Sequence, residues 1–247
     1  MILPFVFVYF VTLAFWFIAA QPWMLQSPEW VDGVLKVVLW VVPTVVLVMP
    51  LRRGGWLEGL HNLGLNTPHW RGVCWTAVAT VPMVVLVVIS PFSPNPASIV
   101  SDVMLGPFAE EVLYRGFLFQ QLVVRARWPW YWAAFGSAFV FALAHFKDLD
   151  EVLVMALLRG DLAARVGALA PPALATVAGG FLFAWMTWRW RSLWPAMVLH
   201  AGVNLWWALA PAAAGSPTAS AAHGTTLVLA TLITVLLTKT MAPGRQA

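Results

Sequence analysis

Charge is what this sequence has least of. Lys, Arg, Asp and Glu make up 10% of its 247 residues, against about 25% in a soluble domain. So few charges cannot clothe a soluble fold of this size, which points to lipid as the solvent for most of the chain. Cysteine is nearly absent too. Cys74 stands alone, which excludes an internal disulfide and any multi-cysteine zinc or iron–sulfur site, and reads as a packing residue in a helix. There is no basic cluster. The formal charge is only +4, and its cations sit mostly in short loops, so a nucleic-acid surface is excluded. Three motifs of intramembrane hydrolysis are missing as well. No His-Glu-x-x-His helix is present, no Gly-Asp pair falls inside an apolar segment, and Gly136-Ser137 lacks the second glycine of a Gly-x-Ser-Gly motif. No repeat of fixed period stands out.

What fills the chain is apolar. Hydrophobic residues reach 61% and the mean hydropathy is +0.81. Sixteen tryptophans fit a protein with two membrane–water interfaces. Eight hydrophobic segments are expected near 3–20, 33–50, 72–90, 102–124, 130–146, 171–189, 193–209 and 224–240, since a span takes roughly 20 residues. Turn chemistry separates them at Gln21-Pro22, Arg52-Arg53-Gly54-Gly55, Pro91 through Pro96, Pro171-Pro172 and Pro211 through Pro217. The expectation is an all-α, polytopic bundle of about eight transmembrane helices, one domain over 1–247 with no soluble appendage. The first segment has no basic residue before its apolar run and a poor cleavage sequence at Ile18-Ala19-Ala20, so an uncleaved helix is expected there.

Loop cations set the orientation. Even-numbered loops and the tail hold nine: Arg52, Arg53, Arg71, Arg125, Arg127, Arg189, Arg191, Lys239 and Arg245. Odd-numbered loops hold Lys147, Arg159 and Arg165, all in the fifth. Both termini are therefore expected in the cytoplasm. Trp128, Trp130 and Trp132, and then Trp188, Trp190 and Trp194, read as inner aromatic belts. The fifth loop, about 147–170, has an apolar run from Val152 to Leu158 between charged flanks, and Lys147/Glu151 and Asp161/Arg165 are spaced four apart. It reads as an interfacial helix, either a connector or a gate.

Ionisable groups inside apolar segments need a reason, because each costs roughly 2.5–3.5 kcal/mol at a helix centre. The fourth segment holds Glu110, Glu111 and Arg115, the fifth His145, and the seventh His200 and Asn204. Lys36, near a helix end where it can snorkel, is the exception elsewhere. Glu111 and Arg115 are i, i+4 and can pair on one helix face. Glu110 points about 100° away from Glu111. His200 and Asn204 share a face. If the three helices meet, a carboxylate, two imidazoles and a carboxamide converge beside an ion pair. That set can hold a water, deprotonate it and stabilise an oxyanion. Each feature alone has a bland structural reading; their joint occurrence in one order carries the weight.

Glu110-Glu111-x-x-x-Arg115, Phe141-x-x-x-His145 and His200-x-x-x-Asn204 resemble the three motifs of the CPBP family, which includes CAAX prenyl endopeptidases and bacteriocin-processing, Abi-like relatives. The context from Phe108 to Leu118 is similar as well, and the resemblance covers about 102–209. It implies an intramembrane endopeptidase acting on a membrane-associated protein or peptide. Glu110 would be the general base, His145 and His200 would position the water, and Asn204 would stabilise the oxyanion. Glu111 and Arg115 would hold the geometry, and Phe141 would pack the fifth helix below His145. The family has also been described as metalloproteases. His145, His200 and Glu110 would then be the zinc ligands, although the metal-free glutamate mechanism is preferred and no cofactor is expected. Two other readings stay open: a catalytically silent scaffold or immunity protein, and a transporter using the polar groups as a relay. The short architecture resembles prokaryotic members, which implies the inner membrane. Substrate and oligomeric state are left open.

Overall fold

The computed structural model describes residues 29–48, 59–61, 63–65, 69–89, 97, 99–145, 160, 162–208 and 217–243. The expected first segment and the expected interfacial stretch Val152–Leu158 lie outside them. The described residues are helical, with no strand among them. Seven helices match seven of the expected segments. They are α1 (29–48), α2 (Trp70–Ile89), α3 (99–124), α4 (Trp130–His145), α5 (Leu162–Trp190), α6 (Trp194–Ala208) and α7 (Pro217–Met241).

The surface is inverted relative to a soluble protein. Tyr131, Trp132, Phe135, Phe139 and Leu143 of α4 are exposed, as are Val228, Leu229, Leu232 and Leu236 of α7. Apolar belts of that extent are rare on soluble monomers and match a lipid-facing surface. Among the described residues, His223–Met241 is the one stretch both long and apolar enough to cross a membrane; Gly33–Val45 and Trp70–Leu86 are apolar but shorter.

One expected break is absent. Pro171-Pro172 lies inside α5, which runs unbroken from Leu162 to Trp190, so the sixth helix starts within what reads as the fifth loop. A turn at membrane depth would leave several backbone groups without partners, whereas a proline in a helix removes one donor each, which neighbouring groups can absorb. One belt residue is also misplaced by sequence. Trp190 is 1% exposed, and its indole N–H donates to Thr238 Oγ1 at 3.2 Å.

The helices pack around the middle of α3. Tyr114, Val112 and Leu113 of α3 share a core with Trp40 and Val41 of α1, Phe141 of α4 and Met197 of α6. α2 backs α6 closely, because Gly202 presents no side chain: a Cβ there would lie 2.7 Å from Thr80 Cγ2. α7 leans on α2 and only lightly on α5 and α6. It is pinned near both ends. At one end the Trp206 indole donates to His223 O at 2.8 Å, His223 Nε2 lies 2.8 Å from Trp206 O, and the two rings stack at 3.9 Å. At the other, Trp190 holds Thr238 and Arg189 Nη2 donates to Lys239 O at 3.2 Å.

Candidate active site

α3 is not a uniform helix. Ile99–Leu105 and Val112–Phe119 are π-helical, and the α-helical Gly106–Glu111 lies between them. Such widened turns concentrate at functional sites, and here they bracket the two glutamates. Glu111 and Arg115, expected as a pair, form one: Arg115 Nη1 lies 3.0 Å from Glu111 Oε1, with both side chains fully buried. A lone buried cation would be costly. Arg115 is further caged by aromatic faces, with Cζ 4.2 Å from the Phe141 ring centre and 5.3 Å from that of Phe183.

The three motif helices converge. His200 Nδ1 lies 2.9 Å from Glu111 Oε1, so one carboxylate oxygen joins Arg115 to α6. With Nδ1 donating to that carboxylate, His200 Nε2 carries a lone pair and lies 3.5 Å from Glu110 Oε2. His145 Nε2 lies 3.9 Å from the same oxygen, and its Nδ1 is 2.9 Å from Phe141 O. The Glu110 side chain is 10% exposed and that of His145 41%. Glu110 is thus sheltered, and His145 stands at the opening.

Asn204 is fixed from an unexpected direction. Its Nδ2 donates to the backbone carbonyl of Asp102 at 2.6 Å. In the π-helical i→i+5 pattern, the donor for that carbonyl would be residue 107, and Pro107 has no N–H. The proline leaves an acceptor that α6 fills, and this cross-link sets the carboxamide beside His145 at the lining of a cleft.

Motif spacing gives no sign of three other contributors. Phe183 of α5 stacks on the His200 ring at 4.7 Å and 21°. Gly180 lets α5 approach, since a Cβ there would lie 2.8 Å from Arg115 Nη2 and 3.0 Å from Ala138 Cβ. Asp102 anchors Asn204. The adjacent Gly179-Gly180 pair in an apolar helix was the one legible hint. Phe141 does more than pack below His145. Its ring also meets His200 edge-on at 5.8 Å and Tyr114 at 5.1 Å.

Two clefts reach the site. One of about 500 Å³ runs among α5, α6 and α7 and is lined by Phe141, His145, Phe183, His200 and Asn204 with apolar neighbours. The other, about 400 Å³, lies between the start of α3 and the end of α6. As for zinc, its ligand atoms at about 2.0–2.1 Å in a tetrahedron sit about 3.4 Å apart. The His200–Glu110 separation of 3.5 Å matches that edge and the His145–Glu110 separation of 3.9 Å exceeds it. No three-ligand group suited to a metal occurs among the described residues.

Neither a curated protein nor a solved structure matches the chain. A family model does, described as Type II CAAX prenyl endopeptidase Rce1-like, over residues 91–206. That span contains all three motifs and Glu110, Glu111, Arg115, Phe141, His145, Phe183, His200 and Asn204. The helical fold, the convergent motifs and this match agree, and residues 91–206 are similar to the Rce1-like type II CAAX prenyl endopeptidases, consistent with a CPBP-family intramembrane protease.

Proposed function

We propose that the protein is an intramembrane endopeptidase in which Glu110 activates water without a metal. The observation that carries this reading is the meeting of three acceptor-capable atoms: Glu110 Oε2 with His200 Nε2 at 3.5 Å and His145 Nε2 at 3.9 Å. A water among them donates one hydrogen bond to Glu110 and the other to a histidine. Its oxygen attacks the scissile carbonyl carbon as the O–H proton passes to Glu110. The resulting oxyanion takes a hydrogen bond from the Asn204 carboxamide. Glu110 then returns the proton to the leaving nitrogen as the C–N bond breaks. Glu111, locked to Arg115, keeps His200 in the tautomer that accepts at Nε2.

The apolar cleft among α5, α6 and α7 suits the membrane-held part of a substrate, supplied laterally from lipid. The buried threonines Thr44 and Thr76 bond to their own helix backbones, which favours hydrolysis over a polar relay through α1 and α2. We place the chain as a single domain with eight spans in a prokaryotic inner membrane, both termini cytoplasmic and the site in the outer half. The test is Glu110→Gln, which keeps shape but cannot accept the proton. It should abolish a cleavage product in a membrane proteome while protein level and Tm hold. Wild-type cleavage by Glu110→Gln would sink the mechanism.

A further inference from the structure

α3 and α6 are joined at two points about one turn apart on α6. His200 meets the Glu111 side chain at 2.9 Å, and Asn204 meets the Asp102 backbone carbonyl at 2.6 Å. The second joint is the unusual one, because a carbonyl inside a helix ordinarily has a backbone amide as its partner. In the i→i+5 pattern of Ile99–Leu105, the Gly106 amide serves Ser101, and the next amide, at 107, would serve Asp102. Residue 107 is a proline, so the widened run ends there and the Asp102 oxygen turns to α6. Asn204 gains a fixed orientation from this. Its NH2 group has two hydrogens. One is held by Asp102, and the second remains for another acceptor. The flipped carboxamide would set Oδ1 against the Asp102 oxygen, acceptor facing acceptor.

We infer that Pro107 is a positioning residue for hydrolysis: by withholding an amide from the Asp102 carbonyl, it makes that carbonyl the clamp that aims the free N–H of Asn204 at the oxyanion. The inference rests on the protease reading and adds to that machinery a residue outside the three motifs. Pro107 is buried and lines neither cleft, so its influence on the reaction passes through Asn204.

The test is Pro107→Ala, which restores the amide, in the full chain in lipid nanodiscs. The probe is a fluorogenic prenylated CAAX peptide, after the description of the matching family. With an amide of its own, the Asp102 carbonyl releases Asn204. A net hydrogen bond biases an orientation by about two- to tenfold, so kcat should fall by that factor with KM unmoved. Tm should hold or rise, since the helix gains a hydrogen bond and loses a ring from its interior. A proline needed only for packing would instead lower Tm and activity together. Asn204→Ala removes the donor itself and should lose on the order of a hundred- to a thousandfold in kcat. Adding Pro107→Ala to it should change kcat no further. An equal loss in both backgrounds, or a wild-type kcat for Pro107→Ala, overturns the inference. Should Pro107→Ala not fold, an ester between Asp102 and Val103, made with the α-hydroxy analogue of valine at 103, weakens the same acceptor. It should give the same fall in kcat, and a wild-type kcat there overturns the inference too. Melting needs no substrate. Asn204→Ala should lower Tm in the parent protein and not in Pro107→Ala. If that coupling is found and the parent cuts neither this peptide nor any membrane protein, the clamp stands and the protease reading falls. If the parent cleaves and Asn204→Ala lowers Tm equally in both backgrounds, the protease reading stands and the clamp falls.

Discussion

Replacing Gly180 with alanine puts a methyl group where the structure has no room. The new Cβ would lie 2.8 Å from Arg115 Nη2, 3.0 Å from Ala138 Cβ and 3.1 Å from Ala138 Cα. The guanidinium tip would ordinarily swing aside, but here it is clamped by Glu111 and by the faces of Phe141 and Phe183. Either α4 moves away from α5, or the ion pair loosens. Overpacking of this kind costs about 1–3 kcal/mol. In a chain of this length that lowers Tm by roughly 2–12 °C. Loosening Arg115 also frees Glu111 and hence His200, so kcat/KM should fall on the order of ten- to a hundredfold. Its neighbour behaves oppositely. A Cβ at Gly179 meets nothing within 4 Å, and alanine is the better helix former by up to about 1 kcal/mol. Gly179→Ala should therefore hold or raise Tm. Thermal unfolding of both variants in one detergent, followed by cleavage assays, checks the pair. Ala138→Gly added to Gly180→Ala should recover part of the loss. If Gly180→Ala melts with wild type, or Gly179→Ala loses more, the close approach of α5 to Arg115 is not what orders this site.

The adjacent glutamates should separate in the same assays. Glu111→Gln strips the counter-ion from a fully buried Arg115, worth about 3–5 kcal/mol, so it should lower Tm by roughly 10 °C and lose activity, whereas Glu110→Gln loses activity alone; a stable, inactive Glu111→Gln would invert the roles. Orientation is read in whole cells in a Cys74→Ala background with an impermeant thiol reagent: Ala213→Cys should label and Arg125→Cys should be protected, and the opposite pattern moves the site to the cytoplasmic half. Purified protein should carry well under one metal per chain and keep its activity through prolonged chelation; loss of activity restored specifically by zinc would replace the metal-free mechanism.

Helix existence was legible in the sequence because lipid makes nearly every span uniformly apolar. Seven expected segments coincide with helices to within a few residues, apart from the starts of α5 and α7, which come nine and seven residues early. In α5 the rule that prolines end helices holds for chains in water, and it failed at Pro171-Pro172, where carrying the helix through costs less than a turn. The motif residues were legible because charge inside an apolar helix is expensive and spacing shows which groups share a face. Glu110, His145 and His200 do meet. What spacing within a helix cannot report is a contact between helices. Hence the sequence showed Glu111 paired with Arg115 but not its second bond to His200, and it gave Asn204 no anchor. The aromatic cage of Arg115 was hidden for a related reason. Phe183 is one apolar residue among many in α5, and only the packed bundle distinguishes it.

The pins on α7 bear on which changes this protein can tolerate. His223 engages Trp206 near one end and Thr238 engages Trp190 near the other, while the stretch between them buries Ala230 and Thr234 and turns its other side chains largely to lipid or the large cleft. Substituting one apolar residue for another along that stretch leaves both fastenings intact. Deleting a single residue does not, because everything beyond it turns by about 100° and shifts by about 1.5 Å, which carries Thr238 off the indole. The spacing between the two fastenings is thus a ruler: its length is constrained far more tightly than its composition. Variants of this helix should diverge freely in lettering on its exposed face, though not at the buried Ala230 and Thr234, while resisting insertions and deletions between positions 223 and 238.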